Sequence, residues 1–214
     1  MTGPVASHPP KQERSRRTLA RLLAATIWTL DEVGLEEATI PRIAEKADVS
    51  PATIYRRFEN KQALLRAAFL HMLERSHQAT RGLLDEKLSH GSLEQAAREL
   101  IGLFFGQYRA HYKLLHALDR FQETDDDAAF VEAARAIEED NLDRVIQAML
   151  AHRAEITHPD PECAVRIATL TAATAIRMMM LRPRTIWRTV QPEENESLAD
   201  EMTRAYVAYL KSGT

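Results

Sequence analysis

The chain has 214 residues, 45% of them apolar and 28% charged, with a formal net charge of −3. That is enough for one large or two small globular domains with a sizeable core, and too little positive charge for a protein that coats nucleic acid indiscriminately. A single cysteine, Cys163, excludes an intrachain disulfide and suits a reducing cytosol, where it is expected to be a small packed residue.

Residues 1–10 carry Gly3, Pro4, Pro9 and Pro10 and are expected to form a disordered tail. They hold no apolar leader, and no uninterrupted apolar run in the chain reaches spanning length, so a cytoplasmic protein without a membrane segment is expected. Charge is unevenly spread. Lys11, Arg14, Arg16, Arg17 and Arg21 cluster against Glu13, whereas acids dominate Glu123 to Asp127 and Glu193 to Asp200. A basic patch on an acidic body suits selective DNA binding. From Gln12 to Val33 the spacing of Leu19, Leu22, Leu23, Thr26, Ile27 and Leu30 predicts a helix, with Gly34 just past its end. Trp28 is expected in the core or at an interface.

The next stretch, Thr39 to Lys61, holds two helix starts. Thr39 can cap a helix whose first turn contains Pro41, and Ile40, Ile43, Ala44 and Ala47 give it one apolar side. Asp48 tolerates a left-handed turn, Ser50 caps again, and Pro51 opens a second helix to about Phe58. Two capped helices joined by one tight turn make a helix-turn-helix. In the second helix Ile54 and Phe58 point inward near Val49. Ala52, Thr53, Tyr55, Arg56 and Arg57 take the other side, suited to close approach, phosphate contact and base-edge contact. Asn60 caps a third helix, at whose N-terminus Lys61 and free N–H groups can meet one phosphate.

The pattern carried by Thr39, Ile43, Ala44, Ala47, Val49, Ser50, Thr53, Ile54, Tyr55, Phe58, Lys61 and Leu64 resembles the DNA-binding domain of the TetR family of transcriptional regulators, over about Arg14 to Leu65. Two positions depart from the family's usual pattern. Asp48 stands where the family has a turn glycine, which strains the turn by roughly 1 kcal/mol or less. Pro41 stands where the family often has a polar or basic group near the DNA; the neighbouring Arg42 either replaces that contact or touches a phosphate. The resemblance implies DNA contacts from Thr39, Arg42, Ser50, Pro51, Ala52, Thr53, Tyr55, Arg56, Arg57 and Lys61, with residues 11–60 as the DNA-binding domain and 61–214 as an effector-binding and dimerisation domain.

A long helix is predicted from Lys61 to about Leu88, broken at Gly91 and Ser92; in the resembled family it links the DNA head to the body. Further helices are predicted over Leu93 to Ala110, His111 to Phe121, Ala128 to His152, Pro161 to Leu181 with Asp160 as its cap, and from near Pro192 onward, with Arg184 to Gln191 as a loop. No strand pattern appears, so the fold expected is all-α. The apolar stripes of the last two helices exceed what one monomer easily buries. In the resembled family such helices pair as a four-helix homodimer interface. Two-fold symmetry then sets two recognition helices about 34 Å apart, facing a roughly palindromic operator in double-stranded DNA.

The family usually binds a small molecule in the body and releases DNA when it does. Phe104, Phe105, Tyr108, Tyr112, Leu115, Phe121, Met149, Met178 and Met179 suit an apolar, adaptable pocket, although taken singly each fits a core position better by its spacing. Arg177, inside an apolar run, is either the counter-charge of an acidic effector or the partner of a carboxylate at the dimer interface. No catalytic motif, metal-ligand set or cofactor fingerprint is present: the His residues lack metal spacing, and there is no nucleophile elbow, Walker loop or dinucleotide fingerprint. The function expected is a repressor released from its operator by a small molecule. The alternative is a DNA-binding module whose body binds a protein partner.

Overall fold

The structure is a computed structural model that describes residues 11–182 and 195–213. The tail over residues 1–10, the loop from Arg184 to Gln191 and the helix start at Pro192 lie outside the described residues. All regular elements among the described residues are helical. The chain divides into two compact units, one reaching Met72 and the other beginning at Leu73.

The first unit begins with α1, Lys11–Glu37. Its regular part ends at Gly34, whose φ of 82° lies where only glycine is comfortable, and one more turn follows to Glu37. Then come α2, Ile40–Lys46, and α3, Pro51–Tyr55. The latter is shorter than its sequence pattern, but N–H bonds from Arg56 to Ala52 and from Phe58 to Ile54 carry helical pairing a little further. Leu22, Leu23, Ile40, Ile43, Ala44, Ala47, Ile54, Leu64 and Ala68 bury together. They are apolar at helical spacing, so each helix presents one face to a shared core. Trp28 does not join them. It is 45% exposed, and the Lys46 ammonium sits over its ring. It stacks against a cation at the surface of this unit and is not a core residue.

The helix α4, Lys61–Leu88, starts on Asn60, whose Oδ1 accepts from the Ala63 N–H at 2.9 Å. In the second unit follow α5, Leu93–Ala110; α6, Tyr112–Thr124; α7, Ala128–Leu150; a 3-10 turn, Arg153–Glu155; α8, Pro161–Leu181; and α9, Asn195–Leu210. Compared with the sequence reading, α6 runs three residues further and α7 gives way to the 3-10 turn. Local chemistry sets these starts. Ser92 and Gln95 form a reciprocal capping box for α5, and Asp127 and Asp160 accept from Phe130 N–H and Cys163 N–H to start α7 and α8. Cys163 is exposed there, not packed.

The core of this unit gathers Leu93, Ala97, Leu100, Ile101 and Phe105 of α5 with Ile146 and Met149 of α7, Val165, Ala172 and Ile176 of α8, and Tyr206 and Leu210 of α9. Among the described residues α8 is the one helix long and apolar enough to cross a membrane by length and composition, but its Ala164, Val165, Ala168 and Ile176 pack into this core. Small residues on α8 let α9 approach, and Thr169 meets the Tyr206 hydroxyl at 2.9 Å between them. The buried His152 donates Nε2–H to the carbonyl of Leu88, satisfying an otherwise unpaired acceptor at the end of α4.

Candidate nucleic-acid interface

The outward side of the helix-turn-helix is built from a fixed inner one. Ile54 is wholly buried and anchors α3. Ala52, Tyr55, Arg56 and Arg57 are exposed on the opposite side, with Tyr55 at 57%. Pro51 is exposed at the first position of α3, while Thr53 is half-buried. The turn before α3 runs through Asp48, the one non-glycine residue with positive φ among the described residues, at 50°. This is the left-handed geometry expected where the resembled pattern has glycine. The Arg21 guanidinium donates to the Asp48 carbonyl at 3.3 Å and ties the turn to α1.

Both predicted caps occupy their positions in extended backbone, but neither hydroxyl bonds a helix N–H. Ser50 Oγ lies 3.1 Å from Thr53 Oγ1, and Arg56 donates to that same Thr53 oxygen at 3.0 Å. The three side chains form one polar row along the exposed edge of α3. Thr39 and Arg42 are exposed at α2, where Arg42 donates to the Glu37 carbonyl at 3.3 Å and pairs with its carboxylate at 3.5 Å.

Two basic groups have structural partners that the sequence did not reveal. Arg57 Nη2 donates to the carbonyl and hydroxyl of Ser15, at 3.2 and 2.9 Å, linking the end of α3 to the first turns of α1. Lys61 Nζ donates to the Leu35 carbonyl at 3.0 Å, beside the break at Gly34. Burial of this ammonium lowers its pKa, partly offset by the charge of Glu36. An ammonium has three N–H donors, so the bond to Leu35 leaves capacity for a phosphate at the N-terminus of α4.

In the body, the nine side chains expected to line a pocket separate by burial. Phe105, Phe121, Met149 and Met179 are core, and Phe121 meets Phe130 edge-to-face with centroids 5.5 Å apart. Phe104, Tyr108, Leu115 and Met178 are half-buried, and burial raises the Tyr108 pKa. Tyr112 is exposed and stacks on His116. Two surface grooves are present, one of about 250 Å³ between α4 and α7 at His77 and Asp140, the other of about 390 Å³ at Gly102 and Gly106 of α5; none of the nine lines either. Arg177 has a carboxylate partner within the chain. Its Nε donates to Asp119 Oδ1 of α6 at 2.7 Å, so its counter-charge is supplied within the chain. Asp119 also accepts from Arg182 at 3.4 Å. The pairing joins residues 58 apart in sequence, and no local pattern announces it.

On α8, Ile167 and Leu170 are exposed although apolar, as is Tyr209 on α9. Ala168 and Ala172 face inward to the core.

A family model described as bacterial regulatory proteins, tetR family, matches residues 22–68, and one for the tetracyclin repressor-like C-terminal domain matches residues 92–210. The chain is 42% identical over 72 residues to the uncharacterized HTH-type transcriptional regulator YvkB of Bacillus subtilis (strain 168), which is 34% of this chain and 35% of that protein. It is 38% identical over 61 residues to the HTH-type transcriptional regulator BetI of Paraburkholderia phytofirmans, covering 28% of this chain and 31% of that protein. The match thus spans about a third of the length of these curated relatives. Among solved structures, a tetR-family transcriptional regulator from Streptomyces coelicolor superposes with a TM-score of 0.61 at 18% identity, over 89% of this chain and 81% of that one. The transcriptional regulator FadR from Bacillus subtilis, in complex with stearoyl-CoA, gives 0.59 at 16% identity, over 91% and 98%. At these identities the likeness is one of fold.

Proposed function

Because the chain belongs to the tetR family of bacterial regulatory proteins, which are transcription regulators and not enzymes, we propose that it is a cytoplasmic, sequence-specific DNA-binding repressor that a small molecule releases from its operator. The observation that carries this reading is the two-sidedness of α3. A wholly buried Ile54 fixes the helix, and the opposite side offers Tyr55, Arg56 and the Ser50–Thr53 hydroxyl pair. Those groups contact the major groove, Pro51 and Ala52 permit close approach, and Thr39, Arg42 and Lys61 hold phosphates. Arg57 contributes its charge next to the groove while its Nη2 holds Ser15.

The exposed apolar residues Ile167 and Leu170 of α8, with Tyr209 of α9, support a homodimer through the last two helices. Two-fold symmetry then matches two copies of α3 to a palindromic operator. The effector is an apolar small molecule received by the half-buried Phe104, Tyr108, Leu115 and Met178, with Phe105, Phe121 and Met149 as the wall behind them. It acts by binding the DNA-free state better than the DNA-bound state.

The test is a fluorescence-anisotropy titration of the full chain against the DNA flanking its own coding region, with mixed-sequence competitor and varied salt. Competitor-resistant binding with two protomers per site is expected. Weak binding, equal for all sequences at every salt, would count against operator recognition by this protein.

A further inference from the structure

The first turns of α1 carry more guanidinium than α3 does. Arg14, Arg16 and Arg17 fall within four residues, and all three are exposed. Glu13 is the acid among them, and Arg17 pairs with it one turn away. Among the described residues neither Arg14 nor Arg16 has an acidic partner.

What makes this a surface rather than a charge run is its position. Ser15, between Arg14 and Arg16, receives the Arg57 Nη2 of the α3 end on both its carbonyl and its hydroxyl. Successive side chains on a helix diverge by about 100°, so with Ser15 turned to α3 the two flanking arginines leave α1 on either side of that contact. Arg21, two turns later, holds the Asp48 carbonyl in the turn that leads into α3. The two ends of the recognition helix are therefore both fastened to the basic half of α1. A duplex that receives α3 brings its phosphates to Arg14 and Arg16 as well. Exposed cations without acidic partners among the described residues, beside a polar groove-sized helix, match a polyanion of regular spacing.

We infer that the first turns of α1 form a second phosphate clamp, in which Arg14 and Arg16 grip the DNA backbone flanking the groove that α3 enters. The inference rests on the DNA-binding reading above. It assigns no base recognition to α1, so its contribution is blind to sequence.

The experiment uses the full chain and two fluorescein-labelled duplexes, one of mixed sequence and one from the DNA flanking its own coding region, in a potassium chloride series. Arg14→Ala/Arg16→Ala is expected to lower the slope of log K against log salt by about 1.8 per bound protomer, at about 0.9 for each phosphate contact. The fold-loss in affinity is expected to be the same on both duplexes. Arg14→Lys/Arg16→Lys keeps the charges and should keep the slope. If the double alanine variant melts below the wild type, the two single variants are measured instead, each expected to lose about half of the effect. A slope equal to wild type in variants that melt normally overturns the clamp while leaving operator binding by α3 intact. A loss confined to one duplex also overturns it, because phosphates are common to both. A wild type that binds neither duplex removes the regulator reading, and the clamp with it.

Discussion

Replacing Arg177 with alanine should destabilise the body more than neutralising its partner Asp119. The reason is where the two charges sit. The Asp119 carboxylate is 5% exposed, whereas the Arg177 side chain is 47% exposed. Arg177→Ala strips two charge-assisted hydrogen bonds from Asp119 Oδ1 and, among the described residues, leaves the carboxylate the contact from Arg182 at 3.4 Å. Breaking a fully buried pair from one side costs about 3–5 kcal/mol; because water reaches Arg177, a smaller loss of about 2–3 kcal/mol is expected here. Asp119→Asn removes the buried charge, keeps an acceptor for the guanidinium, and leaves Arg177 partly hydrated. Its cost should be about 1 kcal/mol. For a chain of this size that converts to melting shifts of about 4–12 °C and about 2–4 °C respectively. Combining the two removes the stranded charge, so the double variant should be less destabilised than the sum of the singles. Urea unfolding followed by far-ultraviolet circular dichroism measures all three. Equal costs for the two single variants, or strict additivity, would refute the argument that the buried partner controls the energy.

Three other outcomes follow from single residues. Lys61→Ala should weaken binding to every DNA sequence alike and reduce the salt slope by about one per protomer; an unchanged slope in the anisotropy assay would remove Lys61 from the phosphate set. Asp48→Gly should raise the stability of the helix-turn-helix unit by up to about 1 kcal/mol, since φ of 50° suits glycine and the Arg21 bond goes to a backbone oxygen that survives the change. A lower melting temperature would show that the Asp48 side chain holds the turn. Burial pushes the Tyr206 phenol up to about 12, against its hydrogen bond with Thr169. Below pH about 10 both folded and unfolded chains hold this proton, so its contribution is fully present; above it the unfolded phenol ionises first, and stability is lost as pH rises towards about 12. Tyr206→Phe, which strands the Thr169 hydroxyl at a cost of about 1 kcal/mol at neutral pH, should therefore narrow its gap from wild type across that window in urea titrations. A gap that stays constant would contradict the assignment.

The helix-turn-helix was legible because its signals are local. Thr39 with Pro41, Ser50 with Pro51, and Asn60 ahead of Lys61 each place a helix start within a few residues, and the period of Ile40, Ile43, Ala44 and Ala47 marks the inward face. The same logic located α4, α5 and α8 closely. Where it failed, the missing information was distant. α3 is cut short although its apolar spacing continues to Phe58, and Trp28 stays out of the core although large and aromatic, with Lys46 from another helix over its ring. Cys163 is exposed because it sits in the first turn of α8, beside its cap.

The all-helical class, the order of the elements and the residues that face outward on α3 follow from local spacing, because helical hydrogen bonds and amphipathic period act over about four residues. Tertiary structure decided the partners of three buried or anchoring charges. Arg57 meets Ser15 across 42 residues, Lys61 meets Leu35 across 26, and Arg177 meets Asp119 across 58. A guanidinium or ammonium on a long side chain pairs with whichever acceptor folding brings within about 3 Å, and periodicity carries no record of that distance.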